Sequence, residues 1–349
     1  MDVSSVIPVL LFLIIGEGVI SQKQGDVGSP LVSGPLKICP HAEDITPCVC
    51  INGPREFSID CSAVQQQDRL IEVFQAHFPH PEMSSFYLNS NKYIKVLGEG
   101  LFVNTTFQEI HVRNSELQNI QQGVILGLED TLVELDLFNS HIDSFQVDLS
   151  SLTILERLQL DFNYLRGLPE LKSDTLTHLS LGGNLFSEIP SGSFDNVPAL
   201  TKLSIEKLSI EMIQPGLFDS LLHLSELRLD DNNLTSLTQN AINLPSSNVH
   251  FIDLYGNPLA MVEPDAINVG GGKPTLYLGG TQLHILEEAV WRPLLEKEVQ
   301  VLLAGLDLSC GCELSWLVED AALLRRLPMA ACTDGRLLTD LNPEDYAEC

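Results

Sequence analysis

The residues of this chain best placed for chemistry are its eight cysteines. They fall in two sets of four: Cys39, Cys48, Cys50 and Cys61 near the start, and Cys310, Cys312, Cys332 and Cys349 at the end, with none between. Sulfurs so grouped can close disulfides or hold two Cys₄ zinc sites. Paired zinc ligands usually have a gap of two residues between them, whereas Cys48/Cys50 and Cys310/Cys312 are separated by a single residue, so disulfides are the favoured chemistry. The sequence alone leaves three pairings open in each set. Other reactive groups are scattered. His77 and His80 lie in HFPHP without nearby ligands and read as a solvated loop, and the acids Asp230 and Asp231 read as a solvated face. The GGGK run at Gly270–Lys273 lacks the upstream glycine of a phosphate loop and continues into Pro274, so it reads as a turn. H-E-x-x-H, G-x-S-x-G and C-x-x-C do not occur. No catalytic residue, metal site or cofactor is therefore assigned, and the chain reads as a non-enzyme.

Those cysteines imply an oxidising compartment, and the N-terminus agrees. Ile7–Ile15 is an apolar run too short for a membrane helix and is followed by small and polar residues, the pattern of a secretory signal peptide. The expected organisation is a signal peptide at 1–21, a linker at 22–38, a cysteine-rich cap at 39–82, about nine repeats over 83–300 and a second cap at 301–349. Asn104 in NTT and Asn233 in NLT are glycan acceptors that fit secretion. No later segment has the length and apolarity of a bilayer span. Asp and Glu number 47 against 19 Lys and Arg, a net charge of −28 that repels nucleic acid. The 44% hydrophobic content excludes a disordered acidic tail.

Between the caps runs the frame L-x-x-L-x-L-x-x-N-x-L. Its best copies are Leu155–Leu165, Leu176–Phe186, Leu224–Leu234 and Val249–Leu259, and weaker ones begin at Met83, Phe107, Leu132, Leu200 and Lys273, spaced by 21 to 25 residues. Apolar residues at positions one, four, six and eleven point inward, and the intervening residues face out from a short strand. Each unit alone leaves its apolar edge wet. Stacking joins the strands into a parallel sheet on the concave face of a curved α/β repeat solenoid. The ninth-position Asn is a short amide able to satisfy buried turn groups. Asn91, Asn163, Asn184, Asn232 and Asn257 fit that role, while Ser115, Ser140, Leu208 and Thr281 depart from it. Phe102, Phe194 and Phe218 recur on the outer side and read as packing spacers.

This frame, with C-P-x₇-C-x-C-x₁₀-C before it and C-x-C-E-L-S-W-L after it, resembles the extracellular leucine-rich repeat family with cysteine-rich caps. The resemblance implies a horseshoe with disulfide-bonded ends and the pairs Cys39–Cys50, Cys48–Cys61, Cys310–Cys332 and Cys312–Cys349. CPHAEDITPCVC, DCSAV with VFQAHFP, TQLHILEEAVW, and GCELSWLVED with CTDGRLLTDLNPEDYAEC are similar to arthropod proteins related to the non-catalytic subunit of oplophorus-luciferin monooxygenase. That similarity implies a secreted complex in which a separate small chain oxidises coelenterazine without a metal or organic cofactor, and it transfers no catalytic residue to this chain.

The concave face, at frame positions three, five and seven, is the expected binding surface. Aromatics favour strands in general, but exposed ones are common anchors at protein interfaces. Tyr87, Phe138, Arg228, Phe251, Asp253, Tyr255 and Tyr277 are the candidate contacts, centred on Phe251, Tyr255 and Tyr277. The expected partner is an extracellular protein ligand or a small catalytic subunit, which this chain would stabilise or scaffold; the alternative is an independent recognition, adhesion or matrix protein.

Overall fold

The computed structural model describes residues 39–53 and 57–349. The expected signal peptide and linker lie outside them. Twelve short strands form one sheet in strict chain order: β1 Val49–Asn52, β2 Phe57–Asp60, β3 Glu82–Tyr87, β4 Thr106–His111, β5 Glu134–Asp136, β6 Arg157–Gln159, β7 His178–Ser180, β8 Lys202–Ser204, β9 Glu226–Arg228, β10 Phe251–Asp253, β11 Thr275–Tyr277 and β12 Gln300–Leu302. Every pairing is parallel except β1 with β2, which is antiparallel and ends the sheet at the N-terminal cap.

The register follows from the apolar alternation. Leu158, Leu179, Leu203, Leu227, Ile252 and Leu276 oppose one another from strand to strand. All are buried, as are Leu160, Leu181, Ile205, Leu229, Leu254 and Leu278 two residues on. A slip of one residue would turn this whole set into solvent, so pairing is strongly specified.

Each strand ends in the same turn. The eighth frame position has a positive φ in all nine repeats, at Ser90, Asn114, Asn139, Phe162, Gly183, Lys207, Asp231, Gly256 and Gly280. Left-handed backbone is costly for a bulky side chain, so Phe162, with φ 55°, is the conspicuous member. The ninth residue then closes the turn. The Asn232 amide donates to the carbonyls of Ile205 and Leu229, both at 2.9 Å, and accepts from the N–H groups of Leu208 and Ile210 at 2.9 and 3.1 Å. Asn163 does the same between its own repeat and the preceding one. Three of the departures from Asn remain polar partners. The hydroxyls of Ser115, Ser140 and Thr281 donate to the carbonyls of Leu88, Val112 and Leu278. Leu208 instead fills its place with methyl groups and leaves its N–H to Asn232.

On the outer side Phe194 and Phe218 are fully buried and stack at 6.3 Å, while Phe102 joins Phe74, Phe86 and Phe107 in an aromatic cluster under the helix Gln67–Gln75. The N-terminal cap carries the disulfides Cys39–Cys50 and Cys48–Cys61; the C-terminal cap carries Cys310–Cys332 and Cys312–Cys349. With every sulfur joined to another, no thiolate remains for zinc. The helix Glu288–Glu296 covers the last repeat with Trp291, and Trp316 Nε1 donates to the Leu286 carbonyl. No helix among the described residues is long and apolar enough to cross a membrane.

Asn232→Ala is expected to cost about 3 kcal/mol or more, because four buried backbone groups lose their partner at roughly 1 kcal/mol each. Glu211→Ala, an exposed control, should change stability by less than about 0.5 kcal/mol. Urea denaturation of both variants checks this, and equal effects would contradict the amide's role.

Candidate functional site

Because side chains alternate along a strand, frame positions three and five project from the sheet onto the concave face, and position seven follows just beyond it. Across the C-terminal half these positions assemble a cluster. The Arg228 guanidinium lies 5.0 Å over the Phe251 ring, and Phe251 meets Tyr277 of the next strand at 5.1 Å. Tyr255 follows β10 with 54% of its surface exposed, and its N–H donates to Asp253 Oδ1 at 3.0 Å. Gly279 makes room beside it, since a Cβ there would stand 3.1 Å from the Tyr255 ring. Burial raises the Asp253 carboxyl above the usual range, and the charges of Asp230 and Asp231 add to this.

Five of the seven predicted contacts thus share one place: Arg228, Phe251, Asp253, Tyr255 and Tyr277. Phe138 and Tyr87 do not. Phe138 packs edge-on against Phe162 at 5.4 Å, and Tyr87 stacks on His111 at 5.1 Å with an interplanar angle of 11°. Asp230, read from sequence as solvated, is largely covered: its side chain is 13% exposed, and Oδ1 has no hydrogen-bond partner. Exposure at the seventh position varies from repeat to repeat, from 13% at the Asp230 side chain to 54% at Tyr255, which the sequence pattern of one repeat does not reveal. Asp231 beside it is well exposed and pairs with Lys207 at 3.0 Å.

Between Phe138 and Arg228 the face sinks into an open basin of about 560 Å³, lined by Arg113, Phe138, Asp161, Phe162, Glu206 and Arg228 among others. Asp161 lies at its floor. Burial pushes its carboxyl up to about 6, with the Glu206 charge adding to the rise, although Ser180 Oγ and the Gly182 N–H donate to its Oδ1 at 2.5 and 2.8 Å. Phe162 was missed by the sequence reading because the eighth position was not counted as facing the surface; its ring lines the basin and packs on Phe138.

A second polar group lies toward the N-terminal end. His111 on β4 faces Glu134 and Asp136 on β5, and its Nε2 is 3.1 Å from Glu109 Oε2. Burial opposes protonation of His111, but Asp136, Glu109 and Glu134 outweigh it and raise the imidazole above its ordinary value. Arg113 pairs with Asp136, whose side chain is fully buried, and Arg157 pairs with Glu134. Burial penalises the Asp136 charge, yet His111 and Arg113 hold its carboxyl below the usual range. The set was missed because His111, Glu134 and Asp136 are 23 or more residues apart or on alternate positions; only the register unites them. Asn104 and Asn233 are exposed.

No protein-family model matches the chain. It is 30% identical over 327 residues to the Oplophorus-luciferin 2-monooxygenase non-catalytic subunit of Oplophorus gracilirostris, covering 91% of this chain and 90% of that one. Osteomodulin of Bos taurus is 25% identical over 64% of this chain, which spans about half of it, 51%. Among solved structures, a chain of the octameric complex of Latrophilin 3, Unc5D and FLRT2 superposes with a TM-score of 0.61 at 20% identity, covering 74% of this chain and 81% of that one, a likeness of fold.

The Asp161 carboxyl supplies a test of the basin. A carboxyl whose pKa rises on folding holds its proton more tightly in the native chain. Its stabilising contribution is full below the ordinary value of 3.8 and is lost as pH rises toward about 6. Asp161→Asn keeps the acceptor oxygen and removes the charge. Its unfolding free energy relative to the unaltered chain should therefore grow by about 2–3 kcal/mol between roughly pH 4 and pH 7. Denaturation series at both ends of that window measure it; a difference independent of pH would show that Asp161 is solvated.

Proposed function

From the premise that this chain belongs to the leucine-rich repeat family of the Oplophorus-luciferin 2-monooxygenase non-catalytic subunit, we propose that it is a secreted, non-catalytic chain that binds another extracellular protein through its concave face and stabilises it. The observation that supports this reading best is the cluster of Arg228, Phe251, Tyr255 and Tyr277. Rigid aromatics and an Arg contribute disproportionately to binding when a partner covers them, and here Arg228, Phe251 and Tyr277 meet across adjacent strands with the exposed Tyr255 just beyond β10. Secretion is supported by four disulfides that close two small terminal modules. The partner's character follows from charge. A chain of net charge −28 attracts a basic protein at long range and repels an acidic one. A partner that binds only the native enzyme raises that enzyme's stability by mass action, so a chain without catalytic groups can still sustain a catalytic one. A second reading, independent recognition or adhesion outside the cell, draws on the similarity to osteomodulin.

The two readings separate on co-purification from the native secretion: an enzyme should accompany the chain in the first, a receptor or matrix protein in the second. In either, Tyr255→Ala with Tyr277→Ala should secrete and fold normally yet bind its partner about 30-fold or more weakly, the equivalent of roughly 2 kcal/mol. Unchanged affinity would move the interface to the convex side or the caps.

A further inference from the structure

We propose that His111, Glu134 and Asp136 form a binding site for a borderline divalent transition cation such as Zn²⁺ on the concave face. The three donor atoms lie within 4.8 Å of one another, on adjacent strands β4 and β5. His111 Nδ1 is 3.6 Å from Asp136 Oδ2 and 3.9 Å from Glu134 Oε1. Both gaps are too long for hydrogen bonds. Two ligands held tetrahedrally at about 2.0–2.2 Å from zinc stand roughly 3.4 Å apart, so the two gaps from His111 must close by about half an ångström or less, and the two carboxylates must draw together, to seat the ion among these three atoms.

The imidazole supplies an independent sign. Its side chain is nine-tenths buried, and Nδ1 has no hydrogen-bond partner. On the opposite edge Nε2 meets Glu109 Oε2 at 3.1 Å. A carboxylate only accepts, so in the neutral ring Nε2 carries the proton and the Nδ1 lone pair is aimed at two carboxylates. That arrangement is repulsive unless a proton on Nδ1 or a metal cation lies between them. It is also the arrangement in which a metal-bound histidine is held by a second carboxylate behind it. Tyr87, stacked on the ring, fixes its plane.

Two guanidinium groups already neutralise part of the site and must be accommodated. Arg157 engages Glu134 Oε2, which leaves Oε1 for the ion. Arg113 shares Asp136 Oδ2, but its side chain is 46% exposed and has space to swing outward. Glu109, Glu134 and Asp136 together still exceed the two arginines by one negative charge, with His111 neutral. Histidine with two carboxylates selects zinc and its transition-series neighbours over calcium or magnesium, which prefer oxygen alone. Three protein ligands would leave a coordination position for water or a partner's group.

Zinc chloride titrated by calorimetry into the chelator-stripped, full-length chain at neutral pH tests this. One ion per chain is expected, with a rise in melting temperature. His111→Gln and Glu134→Gln should each weaken binding at least tenfold, and Glu109→Gln, behind the ligand, by about 10–100-fold. Circular dichroism establishes that each variant is folded. Should a variant not fold, cobalt(II) bound to the unaltered chain decides, through a visible spectrum with one nitrogen and two carboxylate donors. Absence of zinc binding to the unaltered chain, or binding unaffected in folded His111→Gln and Glu134→Gln, would overturn the proposal and leave a protonated histidine among carboxylates.

Discussion

A short amide or hydroxyl at the turn after the strand, present in every repeat but the one that carries Leu208, bears the burden of stacking. The chain reverses there through a left-handed residue, and the next stretch of backbone passes into the interior with its N–H and carbonyl groups unpaired. Asn232 supplies two donors and two acceptor bonds to four such groups, reaching into the preceding repeat as well as its own. Buried backbone left unpaired is expensive, so each repeat is closed only when its neighbour is present. The long sheet, its register and the outward aim of positions three and five all depend on that closure.

Much of this architecture is legible in the residues. Leucine spacing specifies which faces are buried, because the alternation of a strand allows no other register, and Ser115, Ser140 and Thr281 show that the ninth position needs a small hydrogen-bonding group more than asparagine itself. The left-handed eighth position was not legible. Ser90, Phe162, Lys207 and Gly256 occupy it and share no chemistry that a sequence reader would group. The disulfide pairing could be taken from family resemblance but not from spacing, which allows several connectivities.

The candidate site was legible only in part, for a geometric reason. A column of residues at one frame position shows what projects from the sheet, whereas contacts on the face run across strands, 19 to 26 residues apart in sequence. Arg228 over Phe251 and Phe251 beside Tyr277 emerge once the strands are aligned. Asp161 reaches Ser180 and Gly182 on the next repeat, and this contact, together with burial, makes it an unusual acid. Asp230 shows the converse error: a polar residue in an outward column can still be largely covered, with its side chain only 13% exposed. The face that results is divided into an aromatic cluster, a basin floored by an acid and a histidine among carboxylates, on a chain whose net charge favours a basic partner.

Hydrogen exchange of the complex isolated from the native secretion tests the central claim, that the concave face is where a partner binds. Slowed exchange on binding is expected in Glu226–Arg228, Phe251–Asp253 and Thr275–Tyr277 and in the turns that follow them, with the outer side of the same repeats unchanged. Protection confined to the outer side or to the caps, with those three strands exchanging as in the free chain, would contradict it.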